Sequence, residues 1–362
     1  MKKNLLKFIT SLFVVSVMVI SMLPTTVCSA EEATNGIVNR TSTLDITSNS
    51  LEYMSTDGTK KTVDMNTTSV LDSAEGWSWD VSTRVLTLAG ANITGEGCGI
   101  KAGGDDFTKD SLTINLAEGT ENFVSASILD TLVFGIDAMY AALTINGSGT
   151  LNVTTPNITK GSSIFARSLL AKDLNVCENV KLNVTAGDAI STSGDDITCV
   201  SIAIVGSNIT IYDHAKLNVK SGKAQIAGFT SAGRSVGLEA DRNLIVKDDA
   251  IITVNAGEVI GGILPTSTGL YVDKMQVTGN ANIKTTGNYG ILAIGNASDS
   301  WGEIELSGNS KVEANGNRAA ISTIRDTIIP GTLTINDNAL LVAKGTRSAL
   351  YGAPGMVQIL MV

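Results

Sequence analysis

The chain has 362 residues, with 26 Lys and Arg against 35 Asp and Glu, a formal charge of −9 and a single histidine. That acidic balance argues against unaided binding to nucleic acid or to an anionic bilayer, both of which need a basic surface. Aromatic residues make up only 4% while 36 residues are glycine, which suits thin strands and many turns better than a bulky globular core.

Met1-Lys2-Lys3 opens the chain, an apolar run extends from about Phe8 to Leu23, and Val27-Cys28-Ser29-Ala30 supplies small residues before Glu31. Residues 1–30 therefore carry the three parts of a secretory signal peptide, and the polar sequence after them argues against a membrane span. Cys28 as a lipid anchor is the weaker reading, because Thr25-Thr26-Val27 is a poor approach to a lipobox. Removal of the leader takes away three lysines and no acid, so the exported chain is more acidic still. Cys98, Cys177 and Cys199 remain, too sparse and too odd a set for a disulfide framework. They read as small buried hydrophobes, although Cys177 and Cys199 fall in one repeat and a bridge between them stays open.

Residues 31–75 are rich in Thr, Ser and Asn and are predicted to be a loosely held polar lead-in, with weak strand alternation in LDITSNSLEYM and KTVDM. Gly76-Trp77-Ser78-Trp79-Asp80 then leads through a turn to Val85-Leu86-Thr87-Leu88. Two tryptophans beside a turn predict an N-terminal cap at 76–90 that shields the open end of the repeat region.

The rest of the chain is repetitive. LTINGSGTLNV at Leu143–Val153 returns as LNVCENVKLNV at Leu174, ITIYDHAKLNV at Ile209, LIVKDDAIITV at Leu244, MQVTGNANIKT at Met275, IELSGNSKVEA at Ile304 and LTINDNALLVA at Leu333. Each copy alternates apolar and polar residues on both sides of a tight turn, so it reads as two short strands joined by a bend. Starts at Leu86, Leu112, Leu143, Leu174, Ile209, Leu244, Met275, Ile304 and Leu333 give about nine coils, most spaced roughly 29 to 35 residues apart. A third short strand recurs late in each coil, as Gly135-Ile136-Asp137-Ala138, Ser163-Ile164-Phe165-Ala166, Ser201-Ile202-Ala203-Ile204, Gly237-Leu238-Glu239-Ala240 and Gly269-Leu270-Tyr271-Val272. Three strands per repeat and no helical periodicity predict an all-β, right-handed parallel β-helix, a solenoid over residues 76–362. Stacked coils bring Asn152, Asn183 and Asn218 into one column, where their amides can form a hydrogen-bonded ladder. The end at Val357–Val362 starts another apolar strand without a cap, which predicts either a truncated chain or a partner that covers the last coil.

The repeat grammar from Leu86 to Val362 resembles the right-handed parallel β-helix of the pectin-lyase-like superfamily. GWSWDVSTRVLTLAGANITGEGCGIKA at Gly76–Ala102 resembles a module of secreted, repeat-rich surface proteins of Gram-positive anaerobes. Relatives of that type include non-catalytic, calcium-loaded β-helices that bind plant cell-wall polysaccharide. The resemblance thus implies a secreted or cell-surface protein with a polysaccharide as partner, with calcium as its cofactor and no catalysis. The alternatives on the same fold are a polysaccharide lyase or glycosidase, and a structural stalk fragment.

Residue by residue, the catalytic readings are thin. Gly194-Asp195-Asp196 resembles the acidic segment of polygalacturonase-type hydrolases, whose other motifs are missing here. His214 stands at a bend with no nucleophile motif around it. The outward positions of the late strand read Lys101, Asp137, Phe165, Ala203, Glu239, Tyr271, Leu292, Ser322 and Tyr351, with acids several coils apart and no cluster predicted. At the first bend, Glu178, Asp213 and Asp248 are predicted to stack at about 5 Å. Repulsion among them would be relieved by a calcium ion, which takes several oxygens. For sugar stacking, the candidates are Phe165, Tyr271, Trp301 and Tyr351.

Overall fold

A computed structural model describes residues 44–46, 50–54, 59–71, 76–103, 111–193, 197–228, 232–262, 266–294, 302–323, 331–352 and 358–361. The predicted leader, Cys28, the Gly194-Asp195-Asp196 turn, Trp301 and Val362 lie outside these residues. Residues 37–362 form one compact unit. Its described regular elements are all strands, stacked as the parallel coils of a β-solenoid of about eight turns, against the nine counted in the sequence. Leu86, the first start counted, sits in a hairpin: Val85–Leu88 pairs antiparallel with Trp77–Asp80 as well as parallel with the next coil.

The predicted alignment of the repeats holds. Leu112, Leu143, Leu174, Ile209, Leu244, Met275, Ile304 and Leu333 are successive partners in parallel strands. Leu86 pairs with Ile114 instead of Leu112, a two-residue offset that keeps the same face inward because side chains alternate with period two. Beyond the bend, Leu151, Leu182, Leu217, Ile252, Ile283, Val312 and Leu341 form a second inward row. The two rows meet in one continuous apolar core. No coil can bury its own row, so stability belongs to the stack.

A second, smaller core lies under a four-stranded sheet made of Ile158–Lys160, Ala189–Ser191, Ala224–Gln225 and Val259–Ile260. Cys199 is buried there, while Cys177 lies beside the first bend, outside both apolar clusters. Cys98, Cys177 and Cys199 are all free and buried. The Cys177–Cys199 bridge left open by the sequence is therefore not made.

The described residues of the N-terminal segment form strands that pair with the solenoid and with one another. Leu44–Ile46 pairs parallel with Cys98–Ala102 and antiparallel with Ser50–Met54, which in turn pairs with Lys60–Asp64. Leu44, Leu51 and Met65 enter the main core, so a few well-spaced apolar residues suffice to dock a largely polar stretch. Trp77 and Trp79 are buried in that core, with Tyr53 edge-on to Trp77 at 4.9 Å between ring centroids.

Candidate functional site

Two exterior features carry charged groups in defined geometry: the column at the first bend, and a concave corner along the long strands.

At the bend, Glu178, Asp213 and Asp248 do stack. Each adopts left-handed backbone, with φ of 60°, 57° and 61°, a conformation that Asp and Asn tolerate better than most side chains. Their carboxylates have a specific use. Glu178 accepts the Gly147 N–H at 2.9 Å, Asp213 accepts the Glu178 N–H at 3.0 Å, and Asp248 accepts the Asp213 N–H at 3.3 Å. Asp337 repeats the contact on Gly308 at 2.9 Å. Each acid reaches back one coil to a backbone donor that the turn would otherwise leave to water. Among the described residues, no group of three or more His, Cys, Asp or Glu side chains is placed to hold a metal ion. His214, beside this column, is exposed and lies 3.3 Å from Asp249.

The concave corner arises from a kink within the strands Leu132–Gly147, Ile164–Val176, Thr198–Ile211, Ala232–Val246 and Thr266–Val277. At the kink pairing skips one position in each, namely Gly135, Ser168, Ala203, Gly237 and Gly269, and a second break follows at 139–141, Lys172, Ser207, 241–242 and Asp273. These residues are small because the corner points into the coil: a Cβ on Gly135 would lie 2.5 Å from Val153 Cγ1. At Ser168 the hydroxyl donates to the Thr185 carbonyl at 2.7 Å.

The kink folds the outer faces on either side toward each other. Arg234 and Glu239 are five residues apart on one strand, about 16 Å if it ran straight, yet they form an ion pair at 2.9 Å. The Arg234 guanidinium also lies 4.5 Å from the Tyr271 ring centroid in the next coil. Arg167 stacks over Phe165 at 5.5 Å, and Arg318 over Tyr289 at 5.6 Å.

This packing corrects two expectations. The late-strand column is Asp137, Leu170, Val205, Glu239, Tyr271, Leu292, Ser322 and Tyr351. Phe165 and Ala203 do not belong to it, although Ser163–Ala166 and Ser201–Ile204 mimic the motif. Phe165 instead pairs with Val200, and that column continues to Arg234. The corner is also not free of a charge cluster: Arg167 lies within the electrostatic reach of Glu239, Asp137 and Asp241.

Of the four aromatic candidates, Tyr271 is only 6% exposed because Arg234 lies over it, whereas Tyr351 is 48% exposed. Tyr351 stands three coils from Tyr271 in the same column, and Phe165 is half-buried on the other side of the corner. They do not form one platform.

Electrostatics mark the corner as unusual. Burial pushes the Asp241 carboxyl up to about 7, the charge of Glu239 adds to that, and Arg234, Arg167 and Arg242 oppose it. Burial likewise raises Asp137 and the Tyr271 phenol, and lowers Arg167. Arg167 and Glu239 are each 7% exposed, yet Arg167 Nε and Glu239 Oε2 have no hydrogen-bond partner among the described residues. A buried polar group left unmatched costs on the order of 1–3 kcal/mol, so each one calls for an explanation, and strongly perturbed titratable groups cluster at functional sites. Arg167 and Arg234 escape a reading of the sequence because neither sits in the recurring late-strand motif.

No family, no curated protein and no solved structure matches the chain.

Proposed function

We propose that this is an exported, non-catalytic polysaccharide-binding protein of the cell surface, and that the concave corner is its binding groove. The observation that carries the reading is the Arg234–Glu239–Tyr271 arrangement beside Arg167, where an aromatic ring, cations and an acid converge on the outside of a rod. A groove along stacked coils suits an extended chain of repeating units, and buried polar groups at its floor supply orientation. The right-handed, pectin-lyase-like form of the solenoid, the leader at residues 1–30 and the surface location belong to the same proposal. So does calcium at Glu178, Asp213 and Asp248.

One observation favours an enzyme of the same fold. Glu239 lies close to Asp241, whose carboxyl burial pushes up to about 7, and a raised carboxyl beside a second one can divide acid and base roles in glycoside cleavage. Affinity electrophoresis against a panel of polysaccharides, with reducing-end and ultraviolet product assays on the same mixtures, separates the readings. Retardation without product supports the binding protein. Product supports the glycosidase or lyase, and neither signal leaves a structural stalk.

A further inference from the structure

The strands that follow the first bend carry an unmatched row of positive charge. They run in register from Thr150–Thr154, through Lys181–Thr185 and Lys216–Lys220, to Leu340–Gly345. Alternate residues enter the core, and the others form a flat outer face. From Lys181 onward that face holds Lys181, Lys216, Lys220, Lys284, Lys311 and Lys344 against one acid, Glu313. This is on a chain whose acids outnumber its Lys and Arg by 35 to 26. Glu313 lies in register with Lys284 but reaches Lys344, at 3.9 Å. The other five lysines are exposed and make no ion pair among the described residues.

Lys181 stands directly opposite Lys216, and like charges so placed weaken a sheet. The strands before the bend avoid this: Lys274 faces Glu303 and pairs with it at 3.1 Å. The stacked acids of the bend are likewise taken up, by backbone N–H groups. The five lysines are left for a counter-charge from outside. Asn183, Thr185, Asn218 and Thr253 stand among them on the same face, with amides and hydroxyls that both donate and accept. Phe123, in register with Asn152 at the N-terminal end of the asparagine column, is 45% exposed and offers an apolar surface for a sugar ring. Glu121 on its strand is held by the Asn152 amide at 3.0 Å.

Both margins of the face are acidic on balance. Glu178, Asp213, Asp248, Asp249 and Asp337 line the bend, with His214 and Lys247 among them, while Asp188 and Glu258 flank Lys223 on the far side. These acids repel a polyanion from either edge and confine it to the strip between, along the rod.

On this charge complementarity we propose that the face docks an acidic polysaccharide. Its carboxylates meet Lys181, Lys216 and Lys220, then Lys284 and Lys311 further along, and its hydroxyls meet the intervening Asn and Thr side chains. Lys181 and Lys311 are four coils apart, a rise of about 19 Å, so the contact spans several sugar units. The inference rests on the polysaccharide-binding reading and adds a surface separate from the concave corner.

The test is calorimetric titration of the full chain, after removal of the leader, with chelator present so that no metal ion bridges acid to acid. The titrants are oligomers of alginate and hyaluronate, neutral oligomers of dextran and xylan, and inorganic polyphosphate, which has the charge without the sugar. An acidic oligosaccharide should bind most tightly, and less so as salt is raised. Lys216→Gln with Lys220→Gln should weaken it by about fivefold or more, the scale of two exposed ion pairs. Lys61→Gln with Lys172→Gln removes the same charge from exposed positions elsewhere and should leave the affinity unchanged. Melting curves establish that both variants fold, and the ranking of ligands on the natural chain stands regardless. An equal loss in the two folded variants, or none in the first, would overturn the placement. Polyphosphate binding as tightly as the acidic sugars would overturn the glycan assignment. Binding of the neutral oligomers alone would overturn this inference and leave a polysaccharide-binding protein, and no binding to any glycan would overturn both.

Discussion

The Asp213 carboxylate accepts the backbone N–H of Glu178, one coil away, at 3.0 Å. The same contact links Glu178 to Gly147 and Asp248 to Asp213, so the acids act as hydrogen-bond acceptors that lock successive bends in register. Asp213→Ala should cost about 1–2 kcal/mol, combining a lost hydrogen bond with a Cβ residue in left-handed backbone that no longer gains from it. Asp213→Asn keeps an acceptor and tolerates the φ of 57°, so it should stay near the natural stability. Urea denaturation of the two variants checks the order.

That use of the carboxylates also bears on calcium. A cation at the column would have to draw oxygens from Glu178, Asp213 and Asp248 while their N–H bonds persist, and each carboxylate has a second oxygen to offer. If calcium is bound there, millimolar calcium should raise the melting temperature of the natural chain, chelation should reverse the rise, and Asp213→Asn should abolish it. A melting temperature indifferent to calcium and chelator would leave the column as a purely hydrogen-bonded device.

Asn183 sits in the ladder that the LNV motif predicts. Its amide donates to Asn152 at 2.8 Å, it accepts from Asn218 at 2.9 Å, and Asn152 donates on to Glu121 at 3.0 Å. A second run from Asn338 through Asn309 and Asn280 also ends on an acid, Asp249. Every amide points its N–H group toward the N-terminal neighbour, so the first member needs an acceptor-only partner and finds a carboxylate. Asn183→Ala should lose about 1–2 kcal/mol. Asn183→Asp should lose more at neutral pH, because it sets an acceptor against the Asn152 oxygen. Thermal melts near neutral pH and in mild acid distinguish them: protonation should restore part of the loss in the aspartate variant only.

Much of this was legible because it is local and periodic. The bend, the inward leucines and the asparagine column each need only the alternation of side chains and a fixed repeat. The corner was not legible. Gly135, Ser168, Ala203, Gly237 and Gly269 each break the period-two count by one, so Ser163–Ala166 passes for the motif that Ser168–Ala171 actually supplies. An ion pair between residues five apart, Arg234 and Glu239, makes no sense on a straight strand. It is explained only once the kink is known. The charge cluster depends on that fold, and so does the burial of Tyr271.

The kink itself can be tested at Gly135. An added Cβ would meet Val153 Cγ1 at 2.5 Å and the Ser168 carbonyl oxygen at 2.7 Å, neither of which can withdraw without disturbing two coils. Gly135→Ala should destabilise by about 1–3 kcal/mol, the usual cost of overpacking. Alanine at Gly90, where nothing lies within 4 Å of a Cβ but φ is 86°, provides the contrast of backbone strain without a clash. A Gly135→Ala chain as stable as the natural one would mean that the corner is looser than its packing indicates.

Asp241 gives the corner a pH signature. Its carboxyl is held up at about 7 in the folded chain, chiefly by burial and then by Glu239, against about 3.9 when unfolded. Between those values the folded state binds more protons than the unfolded state, so stability must fall as pH rises through that window and stay reduced above it. Asp137 is raised by burial too and adds to the same trend. Asp241→Asn mimics the protonated acid. It should match the natural chain below about pH 4, become progressively the more stable of the two as pH rises to about 7, keep that margin above, and flatten the slope of melting temperature against pH. Natural protein that instead gains stability across that range, relative to Asp241→Asn, would show that the corner is well solvated and that its carboxyls are ordinary ones.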